Sequence, residues 1–217
     1  MNVQIATLQP LSPALQSPAW ARPNCPTRRH LVGGFRLRAE ALLHFNQLLA
    51  RLNHFPLDRD QLATASRELA PDPDGPARAP AIAQRLRLAG TIDRMVSDAA
   101  WGTSAAAAGT ARTVVDYVRG RHALIPPGLS QVGRLDDAIL VDAAWPQLAG
   151  EVGDYLDYCR LRATEASLRG CDIAHFAFSR DDWQEARLAE AGLRTARRRA
   201  TPGRYLPASS PACFRVR

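Results

Sequence analysis

Residues 125–145 read Ile125-Pro126-Pro127-Gly128-Leu129-Ser130-Gln131-Val132-Gly133-Arg134-Leu135-Asp136-Asp137-Ala138-Ile139-Leu140-Val141-Asp142-Ala143-Ala144-Trp145. A Pro/Gly turn gives way to paired carboxylates and then to an almost unbroken apolar run. Proline and glycine stop regular structure, and acids in a first helical turn favour the positive end of the helix dipole. The stretch therefore predicts a turn followed by a helix from Leu135 to Trp145, apolar enough to be nearly surrounded by protein.

Outward from this helix, the apolar residues recur at steps of three and four. Phe35, Ala39, Leu42, Phe45, Leu49 and Leu52 share one face of a helix that should end near His54, ahead of Pro56. Asp58 and Gln61 form a capping box for a second helix over Leu62, Ala65 and Leu69. Ile82, Leu86, Ala89, Ile92, Val96 and Ala99 carry a third, interrupted by Gly90. Ala107, Ala111, Val114 and Val118 carry a fourth, whose small residues suit close packing. Pro146 is expected to open a new helix with Leu148, Val152, Leu156, Cys159 and Ala163 inward. Ser179 and Asp182 should cap a last one through Trp183, Ala186 and Leu193, closing by Gly192 or soon after. Only Ala174 to Phe178 competes as a strand. The expectation is an all-α bundle of about six to eight helices.

The organisation expected around that bundle is a flexible Pro-rich arm over residues 1–34, a single helical domain over 35–193 with a hinge at 71–80, and an Arg-rich tail over 194–217. A chain of 217 residues, 46% hydrophobic, is large enough to bury a core without a covalent staple. The four cysteines, Cys25, Cys159, Cys171 and Cys213, form no Cys-x-x-Cys pair and fit reduced thiols in a cytoplasm. No run reaches the roughly 18 apolar residues of a membrane helix, and the first residues lack the pattern of a secretory leader.

The stretch from Tyr117 through Ile125-Pro126 and Gly133 to Leu135-Asp136-Asp137 resembles, without gaps, the signature of the YkvA-like family, a bacterial domain without an assigned chemistry. The resemblance covers about residues 115–150. Where that signature places Ser-Pro-x-Asp, this chain has Gly120, Arg121 and Ala123, and Pro127 replaces the acid that commonly follows Ile-Pro. Many members of that family look membrane-associated, a property this sequence does not share by its hydropathy.

Three site chemistries can be weighed. Adjacent carboxylates at Asp136 and Asp137 could bind a divalent cation for a metal-dependent hydrolase. Helix capping accounts for the same residues at the same spacing and is preferred, with Asp→Asn then costing at most about 1 kcal/mol at either position. Cys159, Cys171, His175 and Cys213 offer a weaker zinc set, and His30, His44, His54 and His122 have no metal spacing. No nucleophile elbow or phosphate loop is present, and Leu31-Val32-Gly33-Gly34-Phe35 matches no nucleotide fingerprint. No cofactor is expected, and catalysis is the less favoured reading.

All 28 basic residues are arginine. Residues 135–193 carry 5 Arg against 12 acids, whereas 194–217 carry 7 Arg and no acid. Arg194, Arg197, Arg198, Arg199 and Arg204 could contact phosphates, with Tyr205 or Phe214 stacking on bases, or could fold back on the acidic helices. The reading preferred from sequence is a non-catalytic protein that acts through a protein partner, with nucleic-acid binding through the tail as its rival.

Overall fold

The structure, a computed structural model, describes residues 8–16, 18, 31–69, 80–120, 123–129 and 132–200, less the side chains of 80 and 198–200. Six α-helices occupy these residues: α1 Ala39–Arg51, α2 Arg59–Leu69, α3 Pro80–Ser97, α4 Ala105–Arg119, α5 Leu135–Leu168 and α6 Arg180–Ala200. The all-α expectation holds. Among the described residues the exception is a hairpin of β1 Leu31–Val32 and β2 Phe35–Arg36, paired Leu31 to Arg36 and Val32 to Phe35. Its two-residue turn needs positive φ at both positions, and Gly33 at 54° and Gly34 at 86° supply it. Ala174 to Phe178 forms a turn and extended chain, not a strand.

The chain divides into two compact units, Met1–Asp157 and Tyr158–Arg217, so the single domain expected over 35–193 is cut inside α5. In the first unit, α3 packs on α4, and α2 carries β1 and a 3-10 turn, Pro13–Leu15. Asp58 and Gln61 close the expected box: the Gln61 N–H donates to Asp58 Oδ1 at 2.7 Å and the Asp58 N–H to Gln61 Oε1 at 2.9 Å. Gln61 also donates from Nε2 to the Ala14 carbonyl at 3.2 Å, which ties the N-terminal segment to α2. Ser12 caps the 3-10 turn through the Ala14 N–H and donates its hydroxyl to Glu68. Leu11, Ala14 and Leu15 are buried, so residues 8–16 are packed structure and not part of a flexible arm. Pro10 and Pro13 are compatible with this, because a 3-10 turn opens readily on proline. Residues 31–34, the end of the expected arm, form β1 and its turn, and Pro80, the end of the expected hinge, begins α3; residues 1–7, 17, 19–30, 71–79 and the tail from 201 lie outside the described residues.

Phe35, expected on the first helix, belongs to β2, so α1 begins only at Ala39, and two further helix ends differ from expectation. Pro146 lies inside a continuous α5, flanked by the buried Ala143, Ala144 and Leu148, whose packing outweighs the hydrogen bond that proline removes. Along this helix Tyr155 and Tyr158 are buried, whereas Leu156 and Cys159 are half-buried and Ala163 is exposed. Each tyrosine has a place for its hydroxyl: Tyr155 donates to Asp98 Oδ2 at 3.4 Å within the first unit, and Tyr158 to the Phe178 carbonyl at 2.8 Å within the second. α6 begins at the expected cap, where Ser179 donates from its N–H and its hydroxyl to Asp182, both at 2.7 Å. It then passes through Gly192 to Ala200, which makes the start of the Arg-rich tail helical. In the second unit, Phe176 stacks on Phe178 and the Arg169 guanidinium lies 5.2 Å from the Phe176 ring centre.

Packing of the N-terminal segment has a direct test. Leu15→Ala should cost about 2–4 kcal/mol in a denaturant titration, as for other buried leucines. A flexible arm would leave the midpoint unchanged.

Candidate functional site

The signature residues converge on one buried carboxylate in the first unit. Asp136, fully buried in the first turn of α5, accepts from the Tyr117 hydroxyl at 2.7 Å, the Leu124 N–H at 2.7 Å and the Ile125 N–H at 3.1 Å, all on Oδ2. The Leu124 N–H is shared with the Tyr117 hydroxyl oxygen at 3.0 Å. Tyr117 comes from the end of α4, Leu124 and Ile125 from the loop that follows, and Asp136 from the next helix. A single side chain thus closes the path from α4 to α5. The acid was expected to satisfy N–H groups of its own helix; it satisfies those of the preceding loop instead. Sequence reasoning found the right residue type and the right need, but not the partner.

Each flanking residue serves this closure. Gly133 donates its N–H to the Leu129 carbonyl at 2.7 Å, and a β-carbon there would stand 2.5 Å from both the Leu129 and Pro127 carbonyl oxygens. Any side chain is excluded by backbone contact, not by dihedral preference. Arg134 then takes a positive φ of 68°, a turn conformation with a steric penalty, before α5 begins. Ile125 and Leu135 are fully buried, and the Phe45 ring of α1 lies 5.6 Å from that of Tyr117. On the other side, Val132 approaches the hairpin so closely that a β-carbon on Gly33 would meet its Cγ2 at 2.6 Å.

Asp137 is occupied separately. Its Oδ2 pairs with Arg134 Nε at 2.7 Å, and its side chain is 7% exposed. Burial pushes its carboxyl from 3.8 up to about 6; the Arg134 hydrogen bond opposes this and the neighbouring Asp136 charge adds to it. Burial, followed by the Asp136 charge, likewise pushes the Tyr117 hydroxyl upward and keeps it a neutral donor. The second oxygen of Asp136, Oδ1, is buried without a hydrogen-bond partner.

As a metal centre the pair is poorly disposed, since a cation would compete with three donors for Oδ2 and with Arg134 for Asp137. Among the described residues no group of three or more His, Cys, Asp or Glu is placed to hold a metal. Of the zinc candidates, Cys159 is half-buried, Cys171 is exposed, and His175 is an exposed side chain 3.8 Å from Asp172. Cys213 lies outside the described residues. The basic candidates fare unevenly: Arg194 and Arg197 are exposed on α6, Arg198 and Arg199 belong to its last turn, and Arg204 lies outside the described residues. No helix among the described residues is long and apolar enough to cross a membrane.

Comparison with known proteins adds no relative: no family model, curated protein or solved structure matches the chain.

Two measurements test the closure. Asp136→Ala leaves buried donors unpaired and should cost roughly 3–5 kcal/mol. Asp136→Asn keeps one acceptor oxygen but sets an amide where Oδ1 had no partner, so it should cost about 1–3 kcal/mol, more than simple capping implies. Equal losses near zero in chemical denaturation would contradict the geometry. Asp137 behaves in the opposite sense. Its folded value near 6 exceeds 3.8, so its contribution favours folding at low pH and is lost as pH rises through 6. The stability of wild type relative to Asp137→Asn should fall by about 1–3 kcal/mol between about pH 4 and pH 8. A difference that does not change with pH would show an unperturbed carboxyl.

Proposed function

We propose that this chain is a YkvA-like helical module that acts through protein contacts and not by catalysis, with α6 as its docking helix. The observation that carries the reading is the exposure of α6: Leu188 and Leu193 are each 73% exposed, and every residue from 191 to 197 is exposed. Large apolar side chains held outward on a regular helix are costly to hydrate and gain by meeting an apolar surface. The charge around them names the kind of surface. Residues 187–200 hold five arginines and one acid, Glu190, which Arg187 and Arg194 both contact at 2.5 Å. The fitting partner is a protein face with an apolar patch rimmed by aspartate or glutamate.

The convergence of Tyr117, Ile125 and Asp136 supports the family resemblance, because it gives those separated residues one shared structural task. The internal use of Asp136 and Asp137 supports a non-catalytic role. Cytoplasmic residence in a bacterium is part of the same proposal, supported by the exposed free thiol of Cys171.

The experiment is a differential capture from the native cell. A protein retained by wild type should be lost with Leu188→Ser/Leu193→Ser, survive nuclease treatment, and fall off as salt screens the arginines. Retention by the double variant would remove α6 from the interface. Loss on nuclease treatment, with direct binding to random duplex, would favour the arginines as phosphate contacts instead.

A further inference from the structure

The first unit also contains a cleft of about 440 Å³ between the N-terminal segment and α5, within the size range of small-ligand sites. Leu11, Leu15 and Ile139 form its apolar wall, and His54, Asp142 and Trp145 gather its polar and aromatic groups. Ile139, Asp142 and Trp145 fall at successive steps of three along α5, so they share one face.

The hydrogen bonding of this cleft selects the ligand. Arg85 is 2% exposed beneath Asp142, donating from Nε to Oδ1 at 2.8 Å and from Nη2 to Oδ2 at 3.3 Å. Its remaining donors go to the Ala81 carbonyl and Gln84 Oε1, each at 3.4 Å, and to the Gln9 carbonyl. The guanidinium is therefore committed and offers nothing to an anion. Asp142 remains 26% exposed, with each oxygen keeping lone-pair capacity beyond its bond to Arg85. His54 adds a second acceptor. Its Nδ1 lies 2.8 Å from the Phe55 carbonyl, which can only accept, so the proton sits on Nδ1 and Nε2 keeps a lone pair in the neutral ring. Burial raises the Asp142 carboxyl, opposed chiefly by the hydrogen bond and charge of Arg85.

We propose that this cleft binds a small amphipathic amine, its ammonium donating to Asp142 and His54 beside the Trp145 ring and its apolar body lying along Leu11, Leu15 and Ile139. Each element of the proposal answers a specific feature: with the Arg85 guanidinium committed, the Asp142 and His54 acceptors call for a donor-rich head, the indole attracts a cation, and the apolar wall takes a hydrocarbon body. Because Arg85 and Asp142 are together neutral, the selectivity comes from directed hydrogen bonds, not from net charge.

The test uses the full chain and three ligands of matched shape: 2-phenylethylamine, 2-phenylethanol and 3-phenylpropionate, titrated by calorimetry with binding mapped by NMR. The amine should bind saturably and about tenfold more tightly than the alcohol, as expected of a charge-assisted head group, and the carboxylate should not bind. Trp145→Leu and His54→Ala both leave the Arg85–Asp142 pair intact, and each should weaken amine binding about fivefold. No saturable amine binding, equal affinity for the alcohol, binding of the carboxylate, or unchanged affinity in both variants would each overturn the proposal.

Discussion

A carboxylate cannot be carried into a protein interior unless donors replace the water it loses. At Asp136 that constraint organises the first unit: the acid draws in the Tyr117 hydroxyl and the N–H groups of Leu124 and Ile125, which no regular element would otherwise satisfy. The end of α4, the loop and the start of α5 are thereby fixed to one atom. Gly133 permits the necessary backbone approach, and the buried Ile125 and Leu135 exclude water around it. Dispersed in sequence, these residues act as a single structural device.

The same principle operates at Arg85, where a buried cation is surrounded by Asp142 and backbone carbonyls. One of those carbonyls belongs to Gln9, so burial of a charge helps hold an N-terminal segment whose composition alone points to extended chain. Gln61 does comparable work on α2, serving its own helix start and the Ala14 carbonyl together. Side-chain amides and guanidinium groups thus draw proline-rich chain into the fold that apolar periodicity would leave outside it.

Much of the fold was legible in the sequence because helix periodicity and capping are local. The three-and-four spacing from Leu42 to Leu49, the Asp58/Gln61 box and the Ser179/Asp182 cap each depend on residues within a turn or two, and each appears as read. Pro146 and Gly192 misled for the same reason: their local cost is real, but neighbouring turns of helix continue past them. The site was only half legible. Adjacent acids after a glycine announce a need for donors, yet an acceptor's partners 11 to 19 residues away leave no periodic trace.

By itself, the sequence determined the helical class, most helix starts, the absence of a long apolar span and the importance of the residues from Tyr117 to Asp137. Only the tertiary structure decided what those residues do, that residues 8–16 are packed, that Asp142 meets Arg85, and that α6 continues with its leucines exposed. The physical reason is one of range. Backbone propensity and capping act over about one helical turn, whereas the partner of a buried polar group is set by which distant segments the folded chain brings within hydrogen-bonding distance.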